Sequence, residues 1–249
     1  MASPISIRAI SRRYGEAWAL RGMDLEVAAG EFIALVGPSG CGKTTVLRIV
    51  ADLVAPTTGE VRIGEHSAAE ARQRRLLGLV SQRPAVLPWK RAVEDVRFTQ
   101  RIAGRVGFDA AKVLREFGLG GHEDKRARQL SGGMLQRVNI ASAMAHDPSV
   151  LLMDEPIAAL DEMKREEIGE WFDRELAGRP KTVLFVTHHI DEAVMLADRL
   201  VVFSPAPGRV LEIVKVPVPR PRDPAFRQDP RFVSIAAHVR GLLMRRVAA

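Results

Sequence analysis

Residues 31–50 read EFIALVGPSGCGKTTVLRIV, and the order of residue types along this stretch decides the fold. FIALV is a continuous apolar run of strand length, the pattern of a parallel strand covered on both faces. The glycine-rich turn GPSGCGKTT follows at 37–45, and a helical pattern continues through TTVLRIVADL. Strand, turn and helix in that order are the context in which GxxxxGK[ST] carries chemical meaning. Gly37, Gly40 and Gly42 let the backbone curl so that N–H groups converge on phosphate oxygens, and the following helix adds the positive end of its dipole. The expected nucleotide-binding turn is therefore Gly37, Pro38, Ser39, Gly40, Cys41, Gly42, Lys43, Thr44 and Thr45. Within it Lys43 reaches the β and γ phosphates, Thr44 offers a hydroxyl to Mg²⁺, and Cys41 contributes only its backbone.

Outward from this stretch the chain keeps a β/α rhythm. Before it, ISIRAI and MDLEV alternate apolar and polar positions, as strands joined by short turns do. After it, VRIG and LLGLVS read as further strands, and residues 84–129 interrupt the rhythm with Arg- and Gly-rich helical stretches. SVLLM, TVLFV and RLVVF then alternate with helices over 160–177 and IDEAVMLA. The pattern predicts an α/β fold of the P-loop NTPase kind, with a mostly parallel core sheet, an N-terminal antiparallel β-subdomain and a helical subdomain inserted at about 84–137. Residues 1–216 are expected to form this domain. Residues 217–249 are expected to form a proline-rich segment and a covering C-terminal helix.

VLLMDEP at 150–156 delivers two carboxylates to the end of an apolar strand, where open α/β sheets place their ligands. Asp154 is placed to hold Mg²⁺ or its water shell, and Glu155 to polarise an attacking water. LSGGMLQ at 130–136 sets Ser131, Gly132 and Gly133 at a helix start, a second anion site of the same physical kind as the first. With this third motif the sequence resembles the ATP-binding cassette (ABC) family. The resemblance implies that the LSGGQ segment of one subunit closes over the nucleotide held by the phosphate loop of another, although Met134 stands where Gln is usual. Gln136 at the end of the motif is counted among the nucleotide-binding residues.

Further matches to that family cover residues 5 to about 215, in order. Tyr14 matches the aromatic residue that stacks on adenine. Gln82 matches the glutamine that approaches Mg²⁺ and the attacking water. AALD at 158–161 matches the segment whose Asp161 crosses the dimer interface. His188 matches the switch histidine at the γ-phosphate, and His189 follows it where Asp is usual. The resemblance thus implies Glu155, His188 and Gln82 as catalytic residues and Thr44, Gln82 and Asp154 as the Mg²⁺ set. VLPWKRAVEDV at 86–96 and FSPAPGRVLEIVKVPVPRPRD at 203–223 look like the ATPase subunits of nitrate, sulfonate and taurine importers. In such proteins the stretch after Gln82 meets the membrane partner, so Trp89 is either a docking residue or buried within the helical insert.

Composition narrows the partners. Lys+Arg 37 against Asp+Glu 30 gives a formal charge of +7, which permits nucleic acid, an anionic surface or nucleotides and chooses none of them. DNA-organising relatives carry very long coiled-coil insertions, whereas 47 residues separate Gln82 from Leu130 here; no nucleic acid is expected. One cysteine excludes an intrachain disulfide. No apolar run reaches the roughly 18 residues needed to span a bilayer, and MASPISIRAISRRY lacks the pattern of a secretory signal. The expectation is an ATP-hydrolysing subunit at the cytoplasmic face of a membrane. It would act as a homodimer, or paired with a similar ATPase subunit, with an integral-membrane permease and an extracytoplasmic solute-binding protein as partners. The alternatives are an exporter or lipid-handling system, or a nucleic-acid-associated ATPase.

Overall fold

The computed structural model describes residues 1–104, 109–158 and 161–244. The alternating residues form two long antiparallel strands, β1 (Ile5–Tyr14) and β2 (Ala17–Val27). Next comes β3 (Phe32–Val36), buried at all five positions, and α1 (Lys43–Val50), entered through Gly42 at φ 100°. β4 (Thr58–Ile63) and the short β5 (His66–Ser67) complete a four-stranded antiparallel sheet in the order β2–β1–β4–β5. Ser67 and Glu70 cap α2 (Ala68–Gln73) reciprocally. β6 (Leu77–Val80) leads into the insert, α3 (Ala92–Ile102), α4 (Ala110–Glu116) and α5 (Gly132–Met144). The rest is β7 (Val150–Asp154), α6 (Glu162–Gly178), β8 (Thr182–Val186), α7 (Ile190–Leu196), β9 (Arg199–Phe203), β10 (Val210–Lys215) and α8 (Pro230–Met244).

The second sheet runs β10–β9–β3–β8–β7–β6, parallel except at β10. Its strands divide their side chains between two cores with the period of two that a pleated strand imposes. Phe32, Ala34 and Val36 of β3 join a cluster with α5, α7 and α8, while Ile33 and Leu35 join one with α1, β1 and β2. Each fully buried Leu or Ile there contributes on the order of 2 kcal/mol. α1 thereby lies in the core shared by the two sheets, and its first residues sit at the C-terminal edge of β3.

Two features differ from the sequence reading. VLEIVK at 210–215, to which the sequence pattern assigns no element, is the antiparallel edge strand β10; only Val214 in it is buried, so it lacks the apolar run that marks its neighbours. β5 and α2 were likewise not anticipated, being two and six residues long.

Buried polar contacts tie the insert to the sheet. Asp95 of α3 accepts from Leu87 N at 3.1 Å and from Ser142 Oγ of α5 at 2.9 Å, and Asn139 of α5 accepts from Ala85 N at 3.2 Å. The segment following β6 is thus held by both α3 and α5. The tail is anchored as firmly. Arg222, 6% exposed, donates to the carbonyls of Val194, Met195 and Ala197 at the end of α7 and of Val218 beside it. Arg220 pairs with Asp173 of α6 and Asp198 before β9.

Candidate functional site

The turn between β3 and α1 is pressed from below by backbone. A Cβ at Gly42 would lie 2.7 Å from Ala19 O, and one at Gly208 would lie 1.9 Å from Cys41 O. Gly208 N donates to Ala19 O at 3.0 Å and Arg21 N to Gly208 O at 3.2 Å, so β2 and the turn before β10 clamp the loop together. No sequence motif marks Gly208; its role arises from a close approach between distant segments. Lys43 is 5% exposed, and its Nζ donates to Gly37 O at 2.8 Å and Pro38 O at 2.9 Å. Its ammonium is therefore centred on the loop, and Ser39 and Gly40 are exposed at its mouth. Burial pushes the Cys41 thiol up despite neighbouring Lys43, which keeps it protonated and unreactive.

Thr44 Oγ1 donates to Asp154 Oδ1 at 2.8 Å, joining the start of α1 to the end of β7. Burial raises the Asp154 carboxyl above its usual range; the Thr44 hydrogen bond opposes this and nearby Glu155 reinforces it. Glu155 leaves the strand at φ 45°, a left-handed conformation rare for a residue with a side chain, and is pinned by its N–H to Val186 O at 3.0 Å. Such local strain persists where its surroundings enforce it. The turn aims the carboxylate across the sheet edge. Its Oε2 accepts from Gln82 Nε2 at 3.1 Å and lies 3.4 Å from His188 Nδ1. Residues following β6, β7 and β8 thus converge on one oxygen.

The adjacent histidines are separated in role by their partners. His188 faces Glu155, whereas Arg165 of α6 donates to His189 Nδ1 at 3.3 Å. Burial, with His188 and Arg165 beside it, pushes the His189 pKa down and keeps that ring neutral. His189 N in turn donates to Thr187 Oγ1 at 3.0 Å, and Thr187 Oγ1 donates to Glu192 Oε2.

Burial raises the Glu192 carboxyl to about 7, against the opposing hydrogen bond from Thr187. The unfolded carboxyl titrates near 4.5, so the unfolded chain releases a proton that the folded protein keeps. Stability therefore falls as pH rises from 4.5 to 7, by about 3 kcal/mol at most. Glu192→Gln is expected to flatten the urea midpoint across that window and to exceed the native protein in stability above it. Parallel pH curves for the two proteins would overturn this.

The remaining site residues spend their contacts locally. Ser131 caps α5, its Oγ accepting from Met134 N at 3.3 Å, and Ser131 and Gly132 are exposed. Asp161 caps α6 through Lys164 N at 3.0 Å and pairs with Lys164 Nζ at 2.8 Å; of the AALD segment, Ala159 and Leu160 lie outside the described residues. Tyr14 is 44% exposed beneath the Arg12 guanidinium, 4.6 Å from its ring centre. Gln136 departs from expectation. It is 3% exposed on the face of α5 that also buries Asn139, Ile140 and Ala143, and is not brought to the surface that Ser131 and Gly132 share. Trp89 is 69% exposed, which excludes burial within the insert.

A family profile described as ABC transporter matches residues 20–158. The aliphatic sulfonates import ATP-binding protein SsuB 2 of Xanthomonas axonopodis pv. citri is 41% identical over 241 residues, covering 97% of this chain and 80% of that protein. The taurine import ATP-binding protein TauB of Jannaschia sp. is 34% identical over 252 residues, covering 96% and 93%. Among solved structures, a dimeric post-hydrolysis ATP-binding cassette bound to ADP and Pi superposes with a TM-score of 0.74 at 30% identity, over 85% of this chain and 98% of that one. With the phosphate-loop motif between β3 and α1, an acidic pair at the end of β7 and this likeness over nearly its whole length, the chain belongs to the ABC transporter family, as one of its ATP-hydrolysing ATP-binding subunits.

Proposed function

We propose that two copies of this chain, or one copy and a similar ATPase subunit, clamp two ATP molecules head to tail and drive a separate permease that imports a small sulfonate-, taurine- or nitrate-like solute. The observation that carries the catalytic part is the convergence of Gln82 and His188 on Glu155 Oε2, beside a loop organised around Lys43. Glu155 accepts the proton of the attacking water, Gln82 and His188 hold the carboxylate in place, and Lys43 exchanges its two loop carbonyls for phosphate oxygens. Tyr14 lies open to the adenine. Ser131 and Gly132, exposed at a helix start, and Asp161, exposed at another, complete the site from the opposing subunit.

Thr44 and Asp154 fit Mg²⁺. They are hard oxygen ligands already 2.8 Å apart, and Gln82, held on Glu155 through its Nε2, is the third residue proposed for the ion. Among the described residues no group of three His, Cys, Asp or Glu could cage a metal, which suits an ion that keeps several waters and takes phosphate oxygens. When bound, it would neutralise phosphate charge.

The importer reading rests on identity to sulfonate and taurine import proteins that covers 97% and 96% of this chain. Among the described residues no helix is long and apolar enough to cross a membrane, so translocation requires a membrane partner. Exposed Trp89, next to Lys90 packed over Phe98, is the docking residue for it. A tagged pull-down from gently solubilised native membranes tests this. A multi-span permease with an extracytoplasmic binding protein is expected; nucleic acid or ribosomal proteins without a permease would overturn it.

Ser131→Ala separates the two faces. ATP affinity of the dilute monomer should be unchanged, while the ATP-dependent dimer weakens by about tenfold, the worth of one hydrogen bond to a charged group. Equal loss of ATP affinity in monomer and dimer would contradict a role across the interface.

A further inference from the structure

Tyr14 is the chain's one tyrosine, at the last position of β1, and 44% of it is exposed. The pairing of β1 with β2 is irregular just before it, the register shifting on both sides of Arg12, and the turn that follows passes through Gly15 at φ 56°. Backbone pairing alone fixes a side chain at such a hairpin tip poorly. A neighbouring side chain braces it instead. Arg12 lies two residues back on the same strand, the spacing that puts side chains on one face, and its guanidinium carbon is 4.6 Å from the centre of the Tyr14 ring.

The guanidinium is committed to that ring. Arg12 is half-buried, makes no ion pair among the described residues, and keeps its Nε buried with no hydrogen-bond partner. Sheltering a cation without a carboxylate is costly, and the π face of the tyrosine is what offsets the cost here. Arg12 Nη1 donates to Ala55 O at 2.9 Å, in the segment that leaves α1. Beside it Thr57 N donates to Ser11 O at 2.7 Å and Arg13 N to Thr57 Oγ1 at 3.1 Å. Arg12 thus ties the ring to the helix that begins at Lys43. From the other strand of the hairpin, Leu20 presses on the phosphate loop, since a Cβ at Gly42 would lie 2.7 Å from Leu20 Cδ2.

We propose that Arg12 is a positioning residue for nucleotide binding, clamping one face of the Tyr14 ring in register with the phosphate loop and leaving the opposite face to the base. An aromatic platform ordered before the nucleotide arrives spares binding the cost of immobilising it. The proposal rests on the reading of Tyr14 as the adenine's platform, and the test separates the two. Because the clamp acts only through the base, a ligand made of phosphates alone should not sense it.

The test titrates the dilute full chain with MgATP and with magnesium tripolyphosphate in a calorimeter. Arg12→Gln, which keeps a donor for Ala55 O and loses the cation, is expected to weaken ATP binding by about fourfold and to leave tripolyphosphate unchanged. Arg12→Lys, which keeps a cation, is expected to stay within about twofold of the native protein. Tyr14→Leu is expected to weaken ATP binding by about tenfold, and adding Arg12→Gln to it to cost less than about twofold more, since the clamp then has no ring to hold. Equal losses for both ligands, tighter ATP binding by Arg12→Gln, a Lys variant as weak as the Gln variant, or additive losses in the double variant would each overturn the clamp. Undiminished ATP affinity in Tyr14→Leu would remove the platform and the clamp together, whereas a loss in Tyr14→Leu with none in Arg12→Gln would remove the clamp alone. No variant is needed for one further check: the NMR ring signals of the single tyrosine should move on MgATP and stay on tripolyphosphate, and signals that ignore ATP would overturn the proposal in the native protein.

Discussion

Glu155→Gln is expected to lower ATP turnover by about a thousandfold, within the range general-base removal produces, and to leave an ATP-bound dimer as the accumulating species. The substitution keeps the size of the side chain and its ability to hydrogen-bond Gln82, 3.1 Å away, but removes the charge that His188 faces at 3.4 Å. Lys43 and Thr44 contact other atoms, so the loop keeps its own geometry and ATP is still bound. The left-handed turn at 155 is no harder for Gln than for Glu, so folding is not the expected failure. Single-turnover hydrolysis and light scattering in saturating ATP and Mg²⁺ measure the two halves separately. Turnover within tenfold of the native rate would remove Glu155 from the role of base. Dissociated protein would leave that role intact but count against the clamp.

The parts of this site readable in the sequence are those whose information is local. FIALV, the glycine turn and the Lys43–Thr45 helix start are contiguous, and a buried strand followed by a phosphate turn has few other uses. VLLMDEP is legible for the same reason, since an apolar run ends on its two acids at the sheet edge. What escaped the sequence reading depends on partners far along the chain. Gly208 matters because its backbone meets Cys41 and Ala19, and nothing around residue 208 announces that approach. Arg222 looked like one basic residue in a proline-rich tail, yet it closes the end of α7. Which of two adjacent histidines faces the carboxylate was settled by Arg165, 24 residues from His189. Gln136 was misplaced because motif matching counts positions along the chain, whereas a helix turns position 136 toward the side that buries Asn139 and Ile140.

Lys43→Ala is expected to weaken MgATP binding by about a hundredfold, the worth of a charge-assisted contact to phosphate in a sheltered site. The loop geometry argues that no other cation can replace it. Lys43 Nζ sits between Gly37 O and Pro38 O at 2.8 and 2.9 Å, with its side chain 5% exposed, so the space is matched to a compact ammonium. Lys43→Arg should therefore also lose affinity, because a planar guanidinium cannot occupy that position without displacing the carbonyls. If charge alone mattered, Arg would rescue; if the turn merely required an apolar stem, Met would. Stability should move less than affinity, since Gly37 and Pro38 carbonyls at the open mouth of the loop can turn to water. Calorimetric titration with MgATP alongside urea unfolding separates these effects. Binding by Lys43→Ala within threefold of the native protein would mean that the backbone amides and helix dipole hold the phosphates unaided, and that the ammonium between the two carbonyls only braces the loop.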